Sequence, residues 1–118
     1  MSFQTNVLGT TLIPCSNNPM TGWLRDGYCH HDNNDYGTHI ICGRVTNEFL
    51  NFTNSRGNNL TSLKEGDFWC MCIFRWLQAY DYGIKTNNLR IIPLVKLESS
   101  NINVLNYVDM NVLNYFKV

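Results

Sequence analysis

Apolar residues are spaced most regularly between Gly66 and Tyr80, where the chain reads Gly-Asp-Phe-Trp-Cys-Met-Cys-Ile-Phe-Arg-Trp-Leu-Gln-Ala-Tyr. Within it Trp69, Cys72, Ile73, Trp76, Leu77 and Tyr80 recur at helical spacing. The pattern predicts a helix over residues 67–82, with Asp67 as its N-cap and Gly83 as its stop. Met71 and Phe74 make the opposite face apolar as well, so the helix is expected to be buried on all sides. Trp69, Ile73 and Trp76 would then pack into the core. Arg75 would bury its stem and carry its guanidinium to the surface or to a carboxylate. On such a helix Cys70 and Cys72 point about 200° apart, so they could neither clamp one metal nor easily form a disulfide. Replacing Trp76 by Ala should leave little folded protein.

The remaining pattern is weaker. Residues 6–10 read as a short strand or an extended entry. Asn17-Asn18-Pro19, Thr21-Gly22 and Asp26-Gly27 are turn signals. Thr38 to Val45 holds Ile40, Ile41, Cys42 and Val45, a buried strand. Thr46 reads as the N-cap of a helix carrying Phe49, Leu50 and Phe52, with Gly57 just beyond its end. Residues 91–97 read as a strand that Pro93 confines to an edge or an entry point. Asp109 caps a last short helix through Phe116. Asn-Val-Leu-Asn-Tyr occurs at residues 103–107 and again at 111–115. That period is too short for a solenoid and reads as composition bias.

A length of 118 residues suits one domain spanning residues 1–118. Nine basic residues balance nine acidic ones, so the charge footprint of a nucleic-acid binder is missing. The start of the chain does not read as a signal peptide, and no apolar run approaches the roughly 20 residues of a membrane span. With an odd number of cysteines, five, the expectation is a cytoplasmic protein with reduced thiols and no structural disulfide.

Candidate chemistry centres on cysteine and histidine. Asp32-Asn33-Asn34-Asp35-Tyr36-Gly37 looks like the start of a calcium loop, but its fifth position is Tyr36 and its twelfth Gly43, where that loop needs an oxygen ligand and a Glu. Cys29, His30, His31, His39 and Cys42 are zinc-ligand types without the paired spacing of a zinc finger. No cofactor is therefore expected, and the purified protein is expected to be metal-free. A nucleophilic Cys needs a neighbouring base or cation, which His39 could supply to Cys29 or Cys42. Arg25 and Asp26 could orient a substrate or the His. There is no phosphate-binding glycine loop, no Gly-x-Ser-x-Gly elbow and no His-Glu-x-x-His helix.

Several of these segments together resemble a known family. Asn6-Val7-Leu8-Gly9-Thr10, Pro14-Cys15-Ser16, Met20-Thr21-Gly22-Trp23, Arg25-Asp26-Gly27 and Cys29 stand in its order. So do Asp35, Gly37-Thr38-His39, Cys42, Ser55-Arg56-Gly57-Asn58, Gly66-Asp67, Trp69-Cys70, Cys72 and Arg75-Trp76. The chain is similar to the small proteins grouped as domain-of-unknown-function family 2237. The resemblance implies a compact intracellular domain without an assigned activity. This chain departs from the family pattern in three ways. It has Tyr28-Cys29 in place of a double Cys, its loop before Leu63-Lys64 is shortened, and His30 and His31 lie outside the motif.

The expected fold class is α+β, one compact domain with short strands packed against two or three helices. The expected function is binding of a small molecule or a protein partner, with no nucleic acid and no membrane. The candidate binding residues are Arg25, Asp26, Cys29, His39, Cys42, Trp69, Cys70 and Cys72. The alternative is a thiol- or metal-dependent enzyme using Cys29, His39 and Cys42.

Overall fold

A computed structural model of the protein describes residues 3–118. At its centre β1 (Ile41–Arg44) is hydrogen-bonded on one side to β2 (Phe68–Met71) and on the other to β3 (Leu94–Val95), both antiparallel. The register sets Ile41 opposite Met71 and Cys42 opposite Cys70. Neighbouring side chains of a strand point to opposite faces, so this register gives the sheet two chemically different sides. Ile41 and Met71 enter the large apolar core. Cys42 and Cys70 enter a small separate cluster with Cys15 and Cys29. Gly43 has no side chain because a Cβ there would lie 2.6 Å from the Met71 methyl.

The helices enclose the apolar side. α1 (Asn47–Ser55) starts where the Thr46 hydroxyl accepts the Phe49 amide at 3.0 Å, the capping its sequence predicts. Gly57, just past its end, takes a left-handed φ of +88°. α2 (Ile73–Thr86) buries Ile73, Trp76 and Ala79. Trp76 is fully buried, donates its indole N–H to the Pro93 carbonyl at 3.0 Å and stacks on Tyr80. α3 (Met110–Tyr115) is capped by Asp109, which accepts the Asn111 amide at 2.8 Å. Short 3-10 turns at Leu89–Ile91, Leu97–Ser99 and Ile102–Asn106 complete the elements. The fold class is α+β, as expected. Among the described residues no helix is long and apolar enough to cross a membrane.

Several expectations are corrected. The helix over 67–82 does not begin at Asp67. Residues Phe68–Met71 are drawn into the sheet, where β1 supplies partners for their backbone groups, and the helix starts at Ile73. Asp67 closes a turn instead, accepting the Lys64 amide at 3.0 Å. Gly83 lies inside the helix, because a Cβ there would sit 2.7 Å from the Ile92 side chain. The helix ends at Asn87, whose φ is +55°. Nor is α2 buried all round: Phe74 is 50% exposed. Trp69 is only half-buried, whereas Ile73 and Trp76 are core residues as predicted. Arg75 reaches no carboxylate; it donates to the Arg56 carbonyl at 3.0 Å and to Gln78 Oε1 at 3.2 Å. The strand over 91–97 contracts to Leu94–Val95 between two 3-10 turns, and that over 38–45 to Ile41–Arg44.

The N-terminal stretch forms a turn around a buried side chain. Asn6 Oδ1 accepts the Leu8 and Thr10 amides, and its Nδ2 donates to the Glu98 carbonyl at 3.0 Å.

The cysteines are also corrected. Two disulfides, Cys15–Cys42 and Cys29–Cys70, span 27 and 41 residues, with Cα–Cα distances of 5.7 and 5.3 Å, inside bridging range. An odd count requires one unpaired thiol, which is Cys72, but it does not bar two bridges. Each bridge ties a loop to one of the paired strands β1 and β2.

Candidate functional site

A cavity of about 310 Å³ opens beside the cysteine cluster, lined by Gly22, Trp23, Arg25, His39, Leu60, Trp69 and Cys70. Residues 21–27 form one wall as a tight loop. Arg25 N–H donates to the Gly22 carbonyl at 3.0 Å and Gly27 N–H to the Thr21 carbonyl at 2.9 Å. The loop is fixed to β2 by the Cys70 amide, which donates to Thr21 Oγ1 at 2.9 Å within the buried interior. Gly22 has a φ of +96° and approaches so closely that a Cβ would meet the Tyr28 carbonyl oxygen at 2.3 Å, so no side chain fits there. Arg25 holds a left-handed φ of +56°, which is uncommon for a residue with a side chain. Its guanidinium lies 5.4 Å from the Trp69 ring centroid, in cation–π range.

The opposite wall is built around His39. The Asp35 side chain is 1% exposed, and both its oxygens engage this residue. Oδ2 accepts the His39 backbone amide at 2.8 Å, and Oδ1 lies 2.7 Å from Nδ1. The carboxylate therefore places the proton on Nδ1 and fixes the ring, as it does in orienting pairs generally. Gly37 makes room for this, since a Cβ there would lie 2.3 Å from the ring. The plane of Trp23 lies 6° from that of His39, with centroids 6.4 Å apart. Among the described residues, Nε2 of His39 has no hydrogen-bond partner.

This arrangement has the parts for two operations. The two indoles and Leu60 can cover a flat apolar body. Arg25, a permanent cation, joins no ion pair among the described residues and can take an anionic group in bidentate fashion. His39, oriented by Asp35, can accept or donate a proton at Nε2.

The candidate residues read from sequence fall into separate places. Arg25, His39, Trp69 and Cys70 share the cavity. Asp26 faces away: it pairs with His30 Nε2 at 3.0 Å beside a second cavity of about 510 Å³ that includes Phe3, Leu12 and Tyr28. Cys29 and Cys42 are fully buried and bonded to Cys70 and Cys15, so neither offers a thiol to the cavity. Cys72 caps the start of α2 and does not contribute to the lining. Trp23, Asp35 and Leu60 were not among the candidates. The Asp35 to His39 separation of four residues was the one local signal available, and it was obscured by reading Asp35 as part of a calcium-like turn.

The family described as "Uncharacterized protein conserved in bacteria" (DUF2237) matches residues 5–117. The chain belongs to this family. The DUF2237 match covers every residue of the cavity lining, and it agrees with the resemblance carried by the Trp-Cys-x-Cys segment and its companions. No curated protein matches the chain.

Proposed function

We propose that this DUF2237 protein binds a small organic anion, with an aromatic or other planar body, in the cavity between Trp23 and Trp69. The observation that carries this reading is Arg25. It is an unpaired guanidinium held over an indole face, in a cavity whose described lining contains no carboxylate. The left-handed backbone at Arg25 supports it, since such strain concentrates where a side chain must be aimed. A cavity of about 310 Å³ lies at the small end of ligand sites and suits a metabolite rather than a polymer.

The test uses benzoate as probe and benzamide as its uncharged counterpart, with the indole N–H resonances of Trp23 and Trp69 followed by NMR. Benzoate should shift both, and benzamide should do so at least tenfold more weakly, the ratio expected for losing a charge-assisted hydrogen bond of about 1.5–3 kcal/mol. Arg25→Gln should abolish the preference. Equal responses to both probes, or an unchanged preference in Arg25→Gln, would remove the reading.

The Asp35–His39 pair favours a second reading, in which the bound anion undergoes proton transfer at Nε2. Hydrolysis of a 4-nitrophenyl ester carrying a carboxylate should then exceed that of the His39→Gln variant. Equal rates would discard this reading while leaving binding intact.

A further inference from the structure

Two disulfides from different parts of the chain meet behind the cavity. The sulfurs of Cys15, Cys29 and Cys70, which belong to both bridges, all lie within 4.8 Å of one another. Cys42 is bonded to Cys15 and belongs to the same buried cluster of four cysteines. The sheet register explains the convergence. Cys42 and Cys70 are direct partners on adjacent strands and project from one face, and the two loops bring Cys15 and Cys29 onto them. All four residues are buried, at 4% exposure or less.

We infer that the four cysteines form a second kind of clasp when reduced, a tetrathiolate site for a zinc ion. Zinc takes four thiolates at about 2.3 Å in a tetrahedron, which separates the sulfurs by about 3.8 Å. The sulfurs of Cys15, Cys29 and Cys70 lie within 4.8 Å of one another, so once the bridges are reduced the thiolates must separate from bonded contact to that spacing while their strands and loops stay where they are. The ligands come from two paired strands and two loops, and this fixes the four vertices independently of any Cys-x-x-Cys spacing. The doubly negative centre has cations nearby. Lys96 lies 5.5 Å from the ring centroid of Phe68, which packs on the cluster, and Arg25 shares the cavity with Cys70. The conversion balances with a dithiol as reductant. Two dithiols give up four electrons and four protons, the two protein disulfides become four thiols, and each dithiol closes to its own disulfide. Zinc then displaces the four thiol protons. The same loops are thus clasped to the sheet by sulfur–sulfur bonds under oxidising conditions and by the metal under reducing ones.

Cobalt(II) reports this directly. The full chain carrying Cys72→Ser, to remove the fifth thiol, is reduced with dithiothreitol, freed of it without air and titrated with Co²⁺. The expected result is one Co²⁺ per chain, with thiolate charge-transfer and tetrahedral ligand-field absorption, displacement by Zn²⁺ and a dispersed amide NMR spectrum. The unreduced protein should show none of this absorption, and Cys42→Ser in the same background should bind at least tenfold more weakly. Absence of the absorption in the reduced chain would overturn the inference. So would equal binding by the Cys42→Ser chain, or absorption accompanied by an undispersed spectrum, because thiols of an unfolded chain would then be the ligands. Arg25 and His39 take no part in the readout, so the result is independent of the binding proposal.

Discussion

The two faces of the sheet are stabilised by different means. On one, Ile40, Ile41, Val45, Phe49, Trp76, Val95 and Leu113 are almost wholly removed from water and belong to one continuous apolar core. Its stability is that of buried surface, about 25 cal/mol per Å², spread over many residues. On the other face, four cysteines and a half-buried Phe68 form the whole cluster. Among the described residues the chain before β1 contains no helix, and it is held by the two bridges and by hydrogen bonds to buried asparagines. Asn101 Nδ2, for example, donates to the Cys29 carbonyl at 3.1 Å and to Gln4 Oε1 at 2.6 Å. The difference teaches where the cavity can be built. Its Trp23–Arg25 wall comes from the covalently fastened loops, and its floor from the edge of the apolar core at Trp69.

The strongest way to break the apolar side is Trp76→Ala. It removes a fully buried indole, its hydrogen bond to Pro93 and its contacts with Tyr80 and Phe116. The expected loss is about 3–5 kcal/mol, a large share of the roughly 5–15 kcal/mol that holds a typical domain together. Urea denaturation should show little folded protein, and whatever folds should melt as one unit. A midpoint equal to that of the parent would mean that Trp76 does not anchor the core.

The other side should fail more gently and more locally. Replacing both Cys29 and Cys70 by Ala opens a loop spanning 41 residues at an expected cost of about 2–4 kcal/mol. Because α2 is packed on the opposite face, hydrogen exchange should rise chiefly in residues 15–40, with the amides of α2 keeping most of their protection. Uniform loss of protection along the chain would show that the bridge supports the apolar core as well, and the contrast between the faces would then not hold.

The same contrast explains which parts of the fold were legible in the sequence. Thr46 and Asp109 announced their helices because capping is local, and Ile73 and Trp76 announced the core because burial on a helix is periodic. Phe68–Met71 misled because its apolar residues fit the helical period, while the choice was made by β1, which lies more than twenty residues away. Asn-Val-Leu-Asn-Tyr shows the same limit within a few residues. Its first copy lies mainly in the 3-10 turn Ile102–Asn106 and its second lies in α3. In the cavity, Arg25, His39 and Trp69 could be named as chemically able residues. That they meet, and that Asp26 turns away, depends on a loop fastened by Thr21 and a disulfide, which has no periodic signal. Asn6 and Asn101 carry no periodic signal either, yet both are fully buried organisers of the N-terminal segment.

The smallest effect is expected at the rim of the apolar side. Arg90 Nε donates to Glu48 Oε2 of α1 at 2.7 Å, and its Nη2 donates to Glu65 Oε2 at 3.2 Å, so one guanidinium links the helix to the loop before β2. The hydrogen bond from Arg90, and then the backbone bond at Glu48, hold the Glu48 carboxyl below its ordinary 4.5. A carboxyl whose value is lowered on folding contributes stability that is fully present above its ordinary value and is lost as pH falls through the folded one. All three side chains are well exposed, and solvent and salt screen the pair, so the contribution is small. Arg90→Gln should therefore barely change the melting temperature at pH 7. It should flatten the acid limb of the stability profile below about pH 4.5, and added salt should make the parent resemble the variant there. A drop at pH 7 as large as that caused by breaking the Cys29–Cys70 bridge would mean that this rim, and not the packed core beneath it, sets the position of α1.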